Sequence, residues 1–99
     1  MNHTQLFQPI TAGANTFSNR MWMAPLTRAR AGFEHLPNEL MAEYYSQRAS
    51  AGLIITECTM IQANTSAFAA EAGIYSDAQI AGWKQVTDAV HVKGGKYFV

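Results

Sequence analysis

The side chains able to do chemistry gather in two short segments, Pro25-Leu26-Thr27-Arg28 and Glu57-Cys58-Thr59. Each follows an apolar run of strand-like composition, Met21-Trp22-Met23-Ala24 in one case and Leu53-Ile54-Ile55-Thr56 in the other. Ligands of α/β folds bind at the C-terminal ends of strands, so two such segments on adjacent strands would rim one pocket. Thr27 offers a small neutral hydroxyl, which on position alone stabilises a turn more often than it contacts a ligand. Glu57 and Arg28 stand at corresponding heights on neighbouring strands, which favours a structural ion pair over acid/base chemistry. Cys58 has no neighbouring His or helix N-terminus to make it a thiolate and reads as a small buried hydrophobe. His3, His35 and His91 share no metal-ligand spacing with one another or with Cys58, so no metal site is expected. Phe68, further along, reads equally as a packing anchor or a pocket wall, and Trp22 and Trp83 read as core.

A scaffold must bring these segments together, and alternation of short apolar runs with helical periodicity describes one. A third apolar run, Lys96-Tyr97-Phe98-Val99, follows the two named above. Between the first two runs, Leu40, Met41, Tyr44, Tyr45 and Ala49 fall on one stripe opposite Glu39, Glu43, Ser46, Gln47 and Arg48, predicting a helix over about 38 to 51 that Gly52 can end. Before the third run, Ile80, Trp83, Val86 and Val90 repeat at helical spacing. Ser76 with Gln79 opens that helix as a capping box, and Gly94-Gly95 closes it. That glycine pair precedes a strand rather than opening a helix, so it is no dinucleotide fingerprint. Pro9 to Asn19, with Gly13-Ala14-Asn15 between Ile10 and Phe17, predicts a β-hairpin ahead of the first strand. The Thr-, Asn-, Ser- and Ala-rich stretch from 57 to 76 is long for a strand-to-helix connection, a property of functional or disordered loops.

Strand, helix, strand, helix, strand order implies right-handed crossovers and parallel strands. The chain has 99 residues, 48% of them hydrophobic, which is enough for a core and excludes intrinsic disorder. Seven Lys and Arg balance seven Asp and Glu, so the electrostatic footprint of a nucleic-acid or anionic-membrane binder is missing. The N-terminus carries no export signal, and no window approaches the roughly 18 apolar residues of a membrane span. One cysteine fits a reducing compartment, so a cytoplasmic location is expected and the sequons Asn2-His3-Thr4 and Asn64-Thr65-Ser66 are read as chance. Three parallel strands would leave two open edges and an uncovered last strand, which is the condition of a piece of a larger sheet. In a (β/α)8 barrel of roughly 250 residues or more, residues 1–99 would supply about three of eight strands. The organisation expected is thus the N-terminal part of one TIM-barrel domain, with a hairpin over about 9–19 and a βαβαβ unit over about 21–99.

Several linked motifs resemble one family. Leu6-Phe7 with Pro9, Asn19-Arg20, and Met23-Ala24-Pro25-Leu26-Thr27-Arg28 resemble the opening of the Old Yellow Enzyme family of FMN-dependent ene-reductases. So do Tyr44-Tyr45 followed by Gln47-Arg48-Ala49-Ser50-Ala51-Gly52-Leu53-Ile54-Ile55-Thr56-Glu57, and Gly73-Ile74-Tyr75-Ser76 leading to Gln79-Ile80 and Trp83. The match runs through nearly the whole chain in order.

The resemblance implies a (β/α)8 barrel whose bottom is closed by the hairpin, with FMN over the C-terminal rim and NAD(P)H as reductant. It implies that Pro25 and Leu26 give backbone and packing contacts to the flavin, and that Thr27 hydrogen-bonds near its C4 carbonyl and N5. A small neutral donor there stabilises the electron density of the reduced ring without a permanent charge. Cys58 falls where the family usually has a small residue, often Ala, whose backbone approaches the flavin. Phe68 falls at an aromatic position, often Tyr, walling the pocket for an activated alkene, and Thr27 borders the same substrate. The catalytic residues of the family are expected downstream of Val99, so none is assigned in this chain, and the rest of the barrel would have to come from a complementary chain. Two rival readings stay open: a non-catalytic remnant acting as a protein-association fragment, and a barrel enzyme of unrelated chemistry.

Overall fold

A computed structural model describes residues 4–99, so His3 and, of the sequon Asn2-His3-Thr4, the acceptor Asn2 lie outside the described residues. After a 3-10 turn over Thr4–Phe7, strands β1 (Ile10–Ala12) and β2 (Asn15–Phe17) form an antiparallel hairpin in the register Ile10↔Phe17. Its tight turn places Gly13 at φ +60°, a conformation that a side chain disfavours. Then follow β3 (Trp22–Met23), helix α1 (Glu39–Ser46), β4 (Leu53–Ile55), β5 (Thr59–Met60), β6 (Ala72–Gly73), helix α2 (Asp77–His91) and β7 (Tyr97–Phe98). β3, β4 and β7 make one parallel sheet with β4 central, in the registers Trp22↔Leu53 and Ile54↔Tyr97.

Helix α1 starts where the Asn38 side chain accepts the Met41 N–H, and it stops five residues short of the expected 51. Residues 48, 49 and 51 instead donate to the carbonyls of Tyr45, Ser46 and Arg48, a tightened 3-10-like descent. Gly52 explains the early stop. Its N–H is drawn to the Met21 carbonyl and to Asn19 Oδ1, each at 2.9 Å, which commits the chain to the sheet. Helix α2 begins on the capping box of Ser76 and Gln79. Gln79 is buried, because its side-chain oxygen takes the Tyr75 and Ser76 N–H groups, whereas Ile80, expected on the buried stripe, is 52% exposed. Leu40 is likewise turned to solvent, and Ala42 takes its place in the core.

Both helices cover one face of the sheet. Met41, Tyr45, Ala49, Ile54, Trp83, Val86 and Val90 form the core, and the Trp83 indole donates to the Gly73 carbonyl at 3.0 Å. The sheet register puts Trp22, Leu53, Ile55 and Phe98 on the opposite face, away from both helices. Trp22 is therefore not a core residue of this chain, as its type had implied. It is 42% exposed and packs at 4.9 Å on Phe17, which seats the hairpin at the N-terminal end of the strands.

The 57–76 stretch is not a plain loop. β5 and β6 pair in parallel, and Ala31 N–H to the Ala70 carbonyl and Gly73 N–H to the His35 carbonyl tie it to the segment leading into α1. The His35 ring bonds the Glu71 carbonyl at 2.6 Å, a structural use. Among the described residues no helix is long and apolar enough to cross a membrane.

Candidate functional site

Parallel pairing of β3 with β4 sets the exits of both strands side by side. Pro25 and Leu26 leave β3 exposed, and Thr27 follows half-buried. Across from it, the Cys58 N–H donates to Thr27 Oγ1 at 3.3 Å. Since that oxygen accepts, the Thr27 hydroxyl proton is left to donate elsewhere. Thr27 and Cys58, separated by 31 residues in sequence, are thus joined directly. Phe68 lies on the 57–76 segment with its ring 54% exposed and unpaired with other rings among the described residues.

Two buried carboxylates, Glu57 and Glu71, flank this junction, and the first differs from what its position suggested. Glu57 does not pair with Arg28; Lys84–Asp88, on the outer face of α2, is the ion pair found among the described residues. Glu57 is instead buried beneath α1, where Tyr45 Oη–H donates to its Oε2 at 2.6 Å and accepts the Glu57 N–H at 3.3 Å. Oε1 has no well-aligned partner. Burial raises the Glu57 carboxyl above the ordinary range, against the opposing pull of the Tyr45 bond and of the Arg28 backbone and charge. Burial, with the Glu57 bond second, raises the Tyr45 phenol as well. Arg28 stacks on Tyr44, 5.7 Å from the ring centroid, with Arg48 at 4.0 Å on the same ring.

Glu71 is the second carboxylate. Burial pushes it up but is outweighed by hydrogen bonds from the Ala67 N–H, Cys58, Ser66 and the Phe68 N–H, which leave it below the ordinary carboxylate range. Cys58 is exposed rather than buried, because the exit of β4 lies on the open rim. Its thiol is pushed up chiefly by the hydrogen bond to Glu71, then by burial and the two carboxylate charges, so it stays protonated at neutral pH.

Sequence reasoning missed Glu71 and the Tyr45–Glu57 bond. The first depends on a pair of two-residue strands too short to show periodicity. The second joins a helix stripe to a strand exit across 12 residues, and its one legible sign is an acidic residue ending an apolar strand. Among the described residues no group of three metal-ligating side chains gathers.

The exposed Pro25 and Leu26 offer apolar contact, Thr27 a free neutral donor, and Cys58 a small side chain beside them. The sequence model of the NADH:flavin oxidoreductase / NADH oxidase family matches residues 5–99, and the chain belongs to that family. A probable flavin mononucleotide-dependent alkene reductase of Leishmania infantum is 53% identical over 93 residues, covering 94% of this chain and 26% of the relative. The old yellow enzyme of Trypanosoma cruzi superimposes with a TM-score of 0.92 at 52% identity, covering 96% of this chain and 26% of that one. The old yellow enzyme homologue of Zymomonas mobilis gives 0.91 at 55% identity, covering 95% and 26%. The chain therefore spans about a quarter of the length of these relatives and is a partial barrel. The family's cofactor is FMN, reduced by NAD(P)H.

Proposed function

We propose that this chain is the N-terminal segment of an FMN-dependent ene-reductase, furnishing the bottom hairpin, three barrel strands and one wall of the flavin cradle. Pro25 and Leu26 line the cradle, Thr27 donates its hydroxyl to the ring, and the Cys58 backbone closes the side nearest β4. Thr27 and Phe68 border the pocket for a small activated alkene, with Phe68 offering a stacking face and no hydroxyl. FMN, when bound, supplies hydride acceptance from NAD(P)H and hydride delivery to the alkene. The Thr27–Cys58 bond carries this reading: it turns a threonine hydroxyl into an oriented neutral donor at the joined exits of two parallel strands.

Catalysis belongs to the complete barrel, and the chain alone is inactive. Its sheet has two open edges, and Trp22 and Phe98 stand 42% and 66% exposed on the face that helices do not cover. An open trough of about 870 Å³ along the free edge of β3, lined among others by Phe7, Met21, Trp22, Leu26 and Tyr44, has the apolar character of a seat for a neighbouring strand. A complementary chain carrying the remaining strands is the partner proposed. The two are co-expressed, and flavin released on denaturation and alkene-dependent NAD(P)H oxidation are measured. A yellow, active complex from the pair, with colourless and inactive material from this chain alone, is expected. A colourless complex, or turnover by this chain alone, overturns the reading.

A further inference from the structure

Glu57 is a costly residue at its position. A carboxyl 1% exposed, with one oxygen lacking a well-aligned partner, would be replaced at a gain in stability by an apolar residue of similar size unless its bonds served something. Its surroundings indicate what. Tyr45 reaches from α1 with one hydroxyl that holds both the Glu57 carboxyl at 2.6 Å and the Glu57 N–H at 3.3 Å, so the residue is gripped at two points. The next N–H along the chain, that of Cys58, is the donor to Thr27 Oγ1. On the far side Tyr97 stacks edge-on against Tyr45 at 4.9 Å, and its hydroxyl bonds Thr56 Oγ1 at 2.9 Å. Residues 56, 57 and 58 are therefore fixed one after another. The last of these bonds sets the direction in which the Thr27 hydroxyl points.

We infer that Glu57 is a positioning residue for Thr27: clamped by Tyr45, it holds the Cys58 amide in place so that the Thr27 hydroxyl keeps one orientation at the cofactor rim. The inference rests on the flavin cradle proposed above. The Arg28 backbone and charge also pull on the Glu57 carboxyl, but less than the Tyr45 bond does, and the Arg28 side chain makes no ion pair with it, so the Tyr45 hydroxyl is its side-chain grip. Loosening the clamp frees the Cys58 amide, and the donor that meets the cofactor then rotates.

Tyr45→Phe, Glu57→Gln, Thr27→Ala and the double variant Tyr45→Phe/Thr27→Ala test this in the assembled barrel. Two quantities are read: hydrogen exchange of the Cys58 amide without flavin, and the midpoint potential of bound flavin. Exchange is expected to quicken about three- to tenfold in Tyr45→Phe, the range of one lost hydrogen bond. The potential is expected to shift in the same direction as in Thr27→Ala, and the double variant to match Thr27→Ala, because the clamp acts only through that hydroxyl. Should Glu57→Gln fail to fold, Tyr45→Phe, which keeps the ring and its packing, carries the test. Wild-type exchange at Cys58, or shifts that add in the double variant, overturns the inference. Failure of the wild-type barrel to bind flavin overturns the functional reading instead, and the exchange measurement still decides the positioning of Cys58.

Discussion

Gly52 tests how the strand exits are set at their common height. A Cβ built on it lies 2.1 Å from the Asn19 carbonyl oxygen and 2.9 Å from both the Asn19 carbonyl carbon and Oδ1. Two of these three neighbours are backbone, so no rotamer change relieves the overlap. In Gly52→Ala the start of β4 must move by about 1 Å from the 19–21 segment, since carbon and oxygen settle beyond roughly 3 Å. Three bonds hold the two together: Gly52 N–H to the Met21 carbonyl, Gly52 N–H to Asn19 Oδ1, and Asn19 Nδ2 to the Ser50 carbonyl, all at 2.9 Å. Losing one or two of them costs about 0.5–1.5 kcal/mol each, and the crowding itself about 1–3 kcal/mol. The φ of Gly52 lies outside the left-handed region, so alanine also narrows the unfolded ensemble and offsets about 0.4–1 kcal/mol. A net loss of about 2–4 kcal/mol is expected. Gly94→Ala is the control: nothing lies within 4 Å, but φ is +80°, so the loss is backbone strain of about 1–2 kcal/mol. Urea unfolding of the assembled protein, followed by far-UV circular dichroism at unchanged slope, measures both. Gly52→Ala within about 0.5 kcal/mol of wild type, or milder than Gly94→Ala, would refute the close-approach reasoning.

Thr27→Ala is expected to leave the fold intact and shift the two-electron flavin potential by about 30–65 mV, the equivalent of a charge-assisted hydrogen bond, while Thr27→Ser stays near wild type; potentiometry of the assembled barrel checks both. Cys58→Ala is expected to keep turnover within about twofold, because Glu71 raises the thiol and, itself held below the ordinary carboxylate range, is too weak a base to activate it; loss of turnover with flavin still bound would give the thiol a part in the reaction. Glu57 has its folded-state pKa raised, so its contribution to stability is full below the ordinary glutamate range and declines as pH rises through the folded value. Stability of Glu57→Gln relative to wild type should therefore improve from pH 4 to pH 8, measured by denaturant midpoints; a difference independent of pH contradicts a buried, titrating carboxyl.

Periodicity and punctuation carried much of the fold into the sequence. Leu53-Ile54-Ile55 had to be a strand, although only its Ile54 face is covered here, and Ser76 with Gln79 marked the start of α2 to the residue. The parallel order of three strands and the adjacency of Thr27 to Cys58 follow from those elements through the handedness of crossovers. Other features were set by contacts that no local pattern encodes. Leu40 and Ile80 satisfy helical spacing yet face solvent, because the direction of each helix is fixed by Tyr45 on Glu57 and by Gln79 in its capping box. The residue type of Trp22 points to the core, but its side of the strand is the one the helices leave open. The β5–β6 pair depends on carbonyl and amide partners at Ala31 and His35, some 40 residues away, so its residues resemble a loop when read alone.

The two buried carboxylates suggest why the rim is arranged as it is. Both are 1% exposed, yet burial prevails at Glu57 and hydrogen bonding prevails at Glu71, so the first carboxyl lies above the ordinary range and the second below it. They flank the same peptide, with Cys58 following Glu57 and its thiol influenced by Glu71. A fixed negative charge beside the thiol suppresses thiolate formation, which suits a residue exposed at a site proposed to take electrophilic alkenes. A second full charge at Glu57 would repel the first and add its desolvation to the core. A neutral hydroxyl pulls on the carboxyl less than a guanidinium would, so the Tyr45 bond lowers Glu57 without overcoming its burial. The absence of an Arg28–Glu57 ion pair is consistent with this division, and Arg28 meets the Tyr44 ring instead.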